Sequence, residues 1–266
     1  MKQNKHKGYG AIAGDLLGSH YEFNPISNNN PFMLYHEKSH FTDDTILTIA
    51  TMDALINNVS CAKKYREWGN KYDGDYYGAK FKKWLKSNNE LGNSWGNGAS
   101  MRISPIGYAV DLYNQEKFLD AIDDSVLCSH NNVEAREAAL ITAMIIGAFH
   151  QDGRDSVREA IDIYSNQVTK TDYYSEEAIT KAFIPFTSRS SHTVPISWLL
   201  AINCHSVLEA AFICCNIGGD CDTMSSIAGE IICARERGVP DKVAKWVREK
   251  LPQDMLDVLD EFNKKF

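Results

Sequence analysis

The stretch Gly218-Gly219-Asp220-Cys221-Asp222-Thr223 organises the interpretation of this 266-residue chain. Its two glycines permit a tight turn, and two carboxylates and a threonine hydroxyl follow immediately. Such hard oxygen donors suit Mg²⁺ or Mn²⁺ better than a softer metal. A helix is predicted to begin here, because apolar residues follow at helical spacing: Met224, Ile227, Ala228 and Ile231. Taken alone, the hexapeptide favours the simpler interpretation that Asp222 or Thr223 only caps this helix.

A second cluster of the same kind lies near the other end of the chain, at Phe41-Thr42-Asp43-Asp44-Thr45. Apolar residues follow it at helical spacing too, so both clusters are predicted to lie at helix N-termini. Capping explains one carboxylate at a helix start, but it does not readily explain two pairs. Carboxylates gathered without counter-ions repel one another, and divalent cations relieve that repulsion. The two clusters together therefore predict a metal site.

A glycine-striped helix is predicted over residues 8–18, where Gly10, Gly14 and Gly18 recur every four residues. This spacing leaves a flat face that another helix can approach closely. Glu22 follows just past the end of this helix, and its position alone favours a solvated loop carboxylate. Residues 24–40 are rich in asparagine and contain two prolines, so they are predicted to form a mobile loop.

The stretch from Asn93 to Arg102, NSWGNGASMR, places small residues and glycines before a predicted helix. Such a loop can direct free backbone N–H groups at an anion. It matches neither a Walker loop nor GxGxxG, so a plain glycine loop stays open beside a diphosphate site. Arg102 is equally open as a phosphate partner or a surface cation. His130 precedes the apolar run 138–149, and a lone histidine there is more often a cap or packing residue.

Composition excludes several classes of protein. The net charge of −7 argues against general nucleic-acid binding, and no apolar window reaches the 18 or so residues of a membrane span. Seven cysteines without a CxxC pair indicate a reducing, cytoplasmic setting. Helices are also predicted near 155–165 and 175–184, followed by a polar loop at 188–192. Strand-like alternation is nearly absent, so residues 1–266 are predicted to form one all-α domain.

These motifs identify a resemblance to a known family. The chain resembles the ADP-ribosylglycohydrolases, which include dinitrogenase-reductase-activating glycohydrolase, over nearly its whole length. Five motifs occur in the family's order: residues 14–18 leading to Glu22, residues 41–45, residues 96–102, Ser129-His130 and residues 218–223. The last motif departs from the family's usual pattern at Cys221, where a threonine is common between the ligands.

The resemblance implies a single compact, orthogonal multi-helix domain with a binuclear metal cleft that holds two divalent cations, Mg²⁺ or Mn²⁺. It implies the following metal ligands: Thr42, Asp43, Asp44, Asp220, Asp222 and Thr223. It also implies substrate contacts by Ser94, Trp95, Gly96, Asn97, Gly98 and His130. Glu22, Asp43 and Asp44 are the catalytic candidates, with Glu22 near the metals.

The implied activity is hydrolysis of the glycosidic bond at C1″ of an ADP-ribosyl group. The partner is then an ADP-ribosylated protein or a small ADP-ribose conjugate, and the acceptor stays open. A non-catalytic ADP-ribose-binding or structural protein on the same fold is the main alternative. A metal-dependent phosphohydrolase that attacks the diphosphate is a third interpretation, although it lacks a motif of its own.

Overall fold

The structure is a computed structural model that describes residues 5–23, 26, 30–87, 91–151 and 185–266. These residues contain thirteen α-helices, one 3₁₀-helix and no β-strand, which confirms the predicted all-α fold. The predicted helices near 155–165 and 175–184 lie outside the described residues. No described helix is long and apolar enough to cross a membrane.

The 3₁₀-helix covers Pro31–Leu34. The first seven α-helices are α1 (Tyr9–Gly18), α2 (Asp43–Asn57), α3 (Cys61–Lys71), α4 (Ala79–Leu85), α5 (Gly98–Met101), α6 (Ser104–Ala109) and α7 (Gln115–Val126). The remaining six are α8 (Val133–Gln151), α9 (Ser190–Asn203), α10 (Val207–Ile217), α11 (Cys221–Glu236), α12 (Asp241–Lys250) and α13 (Gln253–Lys265).

Helices α1 and α11 form the centre of the molecule, and both are buried along almost their entire length. The glycine stripe of α1 faces α11, as predicted. A Cβ atom at Gly14 would lie 2.1 Å from the backbone oxygen of Ser225, and one at Gly18 would lie 2.4 Å from Cα of Asp222. Only glycine permits this backbone separation, so the stripe sets how closely Asp222 approaches the end of α1.

The N-terminus of α1 is capped from a distance. Glu230 of α11, which is fully buried, accepts hydrogen bonds from the backbone N–H groups of Gly8 at 2.9 Å and Ala11 at 2.6 Å. Its carboxylate also accepts a hydrogen bond from the hydroxyl of Tyr108 at 2.6 Å. A carboxylate at this end of a helix satisfies free donors and complements the helix dipole. The contact fixes α1 along the axis of α11.

The apolar run 138–149 lies within α8, where most of its side chains are buried, as its composition predicts. Two loop predictions are correct only in part. In the described part of 24–40, Pro31–Leu34 is helical, and Leu34 and Ile26 are buried in the core. The predicted loop at 188–192 already contains the start of α9 at Ser190. Tertiary contacts outweigh polar composition at both places.

Candidate metal and substrate site

The two acidic motifs lie at the N-termini of α2 and α11, and these two helix ends meet. Thr42 is the N-cap of α2, and its hydroxyl oxygen accepts the backbone N–H of Asp44 at 3.3 Å. Asp220 is the N-cap residue of α11 but makes no side-chain cap bond, so the predicted cap at Asp222 or Thr223 is wrong. Thr223 Oγ1 donates to Asp44 Oδ2 at 3.0 Å and joins the two ends.

Asp15 of α1 holds the N-terminus of α2 in place. Its fully buried carboxylate accepts four hydrogen bonds: Thr42 N–H at 2.9 Å, Thr42 Oγ1 at 2.9 Å, Thr45 N–H at 3.2 Å and Thr45 Oγ1 at 2.5 Å. The sequence contained one signal for this role, a carboxylate between apolar residues of the predicted glycine-striped helix. Asp15 was not among the predicted site residues, and the structure adds it.

Six side chains form a carboxylate cluster, which we define as Asp15, Glu22, Asp43, Asp44, Asp220 and Asp222. Among the described residues, two groups of three have carboxylate oxygens within 4.8 Å of one another. One group is Asp15, Asp44 and Asp222, and the other is Glu22, Asp220 and Asp222. Asp222 thus belongs to both groups. Asp43 belongs to neither group, but it lines one cavity together with Asp220 and Asp222.

Burial and mutual repulsion perturb these carboxyl groups. Burial raises the pKa of Glu22 to about 8, and the neighbouring charges of Asp220 and Asp15 add to the effect. Burial, followed by repulsion from the other carboxylates, holds the pKa values of Asp44 and Asp222 well above their usual range. No lysine or arginine in the described chain forms an ion pair with the cluster.

One atom of the cluster identifies a free ligand position. Asp44 Oδ1 is buried and has no hydrogen-bond partner in the described residues. A buried carboxylate oxygen is rarely left unpaired, because desolvation without a compensating interaction is costly. Carboxylate and hydroxyl oxygens are also the donors that hard divalent cations prefer. The residues present therefore fit a divalent metal centre.

The glycine loop, defined as residues 93–98, lines the same cavity on the side opposite the carboxylate cluster. Backbone hydrogen bonds clamp it on both sides: Ser94 N–H donates to the oxygen of Ser129 at 3.2 Å, and Asn97 N–H donates to that of Ser188 at 2.8 Å. Gly96 N–H donates to Ser94 Oγ at 3.1 Å. These three N–H groups are therefore not free to bind an anion, because their hydrogen bonds hold the loop in place.

The segment that begins α9 was missed as part of the site. Ser190 is fully buried, and its hydroxyl donates to the backbone oxygen of Gly96 at 2.7 Å. Its backbone N–H donates to the oxygen of Trp95 at 3.2 Å. The loop is in turn joined to the carboxylates, since Asn97 Nδ2 donates to Asp220 Oδ2 at 2.9 Å. The polar composition of 188–192 carried no sign of these contacts.

The cluster and the loop enclose a cavity of about 360 Å³. The predicted site residues that line it are Glu22, Asp43, Asp44, Ser94, Trp95, Gly96, Asn97, Gly98, His130, Asp220, Asp222 and Thr223. Thr42 is the one predicted site residue that does not line the described cavity, and its hydroxyl donates a hydrogen bond to Asp15. Glu22 is half-buried in this cavity, so the solvated-loop interpretation is wrong. Tyr76, Lys80 and Phe186 also line the cavity and were not predicted.

Comparison with known proteins agrees with this architecture. A family model described as ADP-ribosylglycohydrolase matches residues 8–266. The chain belongs to the ADP-ribosylglycohydrolase family. This membership supports a glycohydrolase that acts on ADP-ribosyl groups. A solved structure described as an ADP-ribosylglycohydrolase-related protein complex shares the fold, with 16% sequence identity, a TM-score of 0.73 and 99% coverage of each chain. No curated protein matches the chain.

Proposed function

We propose that this ADP-ribosylglycohydrolase family member hydrolyses the glycosidic bond at C1″ of an ADP-ribosyl group and releases ADP-ribose. The substrate is an ADP-ribosylated protein side chain or a small ADP-ribose conjugate. Thr223 and the carboxylates Asp44, Asp220 and Asp222 would hold two divalent cations, Mg²⁺ or Mn²⁺. Thr42 and Asp43 complete the ligand set implied by the family motif.

The observation that carries this proposal is the convergence of five of the six clustered carboxylates, with no described cationic partner, on a cavity whose other wall is a glycine loop. Such an excess of negative charge is costly unless cations are bound. The arrangement suits a substrate with sugar hydroxyls at one end and a diphosphate at the other. Bound divalent cations supply Lewis-acid charge that polarises substrate oxygens and a water molecule.

The chain's own carboxylates have complementary tasks at the sugar end. Asp43, which lies outside both groups of three, or Asp44 would accept a proton from the attacking water, whose oxygen forms the new bond to C1″. Departure of the acceptor develops positive charge at C1″, which neighbouring carboxylates stabilise. Glu22, half-buried at the cavity, would orient the leaving group or return a proton to it.

Cationic and aromatic side chains serve the opposite end of the substrate. The Nζ of Lys80, which lines the cavity, lies 5.1 Å from the centroid of the Trp95 ring. Trp95 and Phe186 expose 43% and 54% of their surface, enough to offer ring faces to a planar base. Lys80 would therefore compensate the diphosphate charge, and the aromatic rings would receive the adenine.

The test is product analysis with arginine-ADP-ribosylated protein and O-acetyl-ADP-ribose, each in Mg²⁺, Mn²⁺ or EDTA. We expect release of free ADP-ribose that EDTA abolishes and that the Asp43→Ala, Asp222→Ala double variant lacks. Asp257→Ala, which changes an exposed carboxylate on α13, is the matched control and should release product normally.

Other products would support the alternative functions. AMP and ribose phosphate would indicate a phosphohydrolase that attacks the diphosphate. Binding of ADP-ribose with no product from either substrate would favour a non-catalytic binding protein. Unchanged turnover by the double variant would refute the assignment of the carboxylate cluster. Calorimetric titration of Mn²⁺ into the wild-type and double-variant proteins tests metal binding independently of activity.

A further inference from the structure

A buried arginine lies shortly after the glycine loop in the chain and lines the same cavity. Arg102 is fully buried, and its Nη2 donates to the backbone oxygen of Ser125 at 2.9 Å and to Ser129 Oγ at 2.7 Å. Its guanidinium carbon lies 4.2 Å from the centroid of the Tyr65 ring. Burial excludes the surface-cation interpretation of Arg102, and its Nη2 is directed at protein acceptors.

The hydroxyl of Ser129 connects this arginine to His130. Ser129 Oγ lies 2.8 Å from His130 Nδ1, and both side chains are buried. A guanidinium has donors only, so the serine oxygen must accept the hydrogen bond from Arg102. The hydroxyl proton then needs an acceptor, and His130 Nδ1 is the acceptor within reach. A proton on Nδ1 would leave the serine O–H buried and unpaired, which is energetically unfavourable.

The neutral imidazole ring consequently carries its proton on Nε2. Burial, together with the positive charges of Arg102 and Lys80, holds the pKa of His130 well below its usual value, so the ring is neutral at neutral pH. The ring lines the cavity, and Nε2 has no hydrogen-bond partner in the described residues. A Cβ atom at Gly98 would lie 3.1 Å from Nε2, so this nitrogen lies beside the glycine loop.

We propose that Arg102 and Ser129 fix the tautomer of His130 so that its Nε2–H donates a hydrogen bond to an oxygen of the substrate. The identity of that oxygen, on the diphosphate or a ribose of an ADP-ribosyl group, rests on the proposed function. Arg102 and Ser129 are positioning residues in this arrangement. His130 acts as a neutral donor and not as a general base, because the lone pair of Nδ1 already accepts the serine hydroxyl and Nε2 carries the ring proton.

The tautomer is measured directly by long-range ¹H–¹⁵N correlation spectra of the histidine rings in the ¹⁵N-labelled full chain, with His130→Asn to identify the signal. We expect the Nε2–H pattern in the wild-type protein and in Ser129→Thr, which keeps the hydroxyl. Ser129→Ala should lose the pure Nε2–H pattern. Ser226→Ala, which removes another buried hydroxyl, should not. An Nδ1–H pattern in the wild-type protein, or an unchanged pattern in Ser129→Ala, overturns the proposal.

Binding of ADP-ribose by calorimetry then tests the donor itself. Loss of one hydrogen bond of about 1 kcal/mol predicts roughly fivefold weaker binding by Ser129→Ala, with recovery in Ser129→Thr and no change in Ser226→Ala. Equal affinity of Ser129→Ala and wild type would overturn the donor role. Absence of ADP-ribose binding by the wild-type protein would instead refute the proposed function, while the spectrum would still decide the tautomer.

Discussion

The carboxylate cluster and the glycine loop face each other across one cavity, but different forces hold them. The cluster stands on the ends of α1, α2 and α11, whose positions depend on close helix packing through Gly14 and Gly18. The loop is held by its own backbone hydrogen bonds to Ser129 and Ser188. The cluster has no described cationic partner, whereas the buried Arg102 follows the loop in the chain and lines the cavity. One wall thus attracts cations, and the other is suited to an anionic substrate.

The largest expected effect is on the cluster itself. Asp44→Asn removes a ligand charge from the position where Oδ1 is buried and unpaired. We expect ADP-ribose release to fall at least about a thousandfold, since metal charge contributes several kcal/mol to such reactions. Product analysis at saturating Mg²⁺ measures the change, and Mn²⁺ titration should show weaker binding. Wild-type turnover by this variant would show that the cluster is not the metal centre.

The second prediction tests whether helix packing supports the cluster. Gly14→Ala places a Cβ atom 2.1 Å from the backbone oxygen of Ser225, so α1 must move away from α11. We expect a loss of about 3 kcal/mol or more in the free energy of unfolding, measured by urea denaturation. Gly78→Ala is the control, because a Cβ atom there meets nothing within 4 Å, and about 1 kcal/mol or less should be lost. Similar losses in both variants would contradict the packing argument.

The third prediction separates positioning from stability. Asp15→Asn turns an amide donor toward Thr42 and Thr45, which already donate to this side chain. We expect Mn²⁺ affinity to fall about 10- to 100-fold, as is typical when a group that orients metal ligands is changed. Glu230→Gln should lower stability but leave the Mn²⁺ affinity of the folded protein unchanged, because Glu230 caps α1 away from the cluster. Equal losses of affinity would show that Asp15 has no specific positioning role.

The smallest expected effect is on the opposite wall. Lys80→Ala removes an exposed cation beside Trp95, so we expect KM for the ADP-ribosyl substrate to rise by at most about fivefold. The effect should shrink at high salt, because exposed charges are screened. Lys83→Ala on the same helix is the matched control and should leave KM unchanged. An equal change in both variants would assign the effect to net charge and not to the position of Lys80.

Local patterns predicted the parts of the site that depend on short stretches of chain. The helix starts near Thr42 and Asp222 follow from carboxylates placed directly before helical apolar spacing. The glycine stripe predicted a close helix neighbour, and α11 is that neighbour. The roles of the individual ligands and the one-domain organisation over residues 1–266 stay predictions.

Long-range contacts decided what the patterns could not. The position of Glu22 among loop residues predicted a solvated carboxylate, yet Asp220 and Asp222 lie beside it in the structure. The polar composition of segment 188–192 predicted a loop, yet the hydroxyl of Ser190 donates a hydrogen bond to the glycine loop. A polar side chain can be buried when it finds a hydrogen-bond partner inside the fold. A partner that is distant in the chain cannot be recognised from the local sequence.

By itself, the sequence determined the all-α class, the two acidic helix starts and the oxygen-rich chemistry, because each depends on residues close together in the chain. Only the tertiary structure decided that Asp15 holds α2, that Ser94 and Asn97 donate their N–H groups to residues outside the loop, and that Ser129 links Arg102 to His130. Each of these is a hydrogen bond whose partners are set by packing. Hydrogen bonds depend on distance and angle, which residue order alone does not specify.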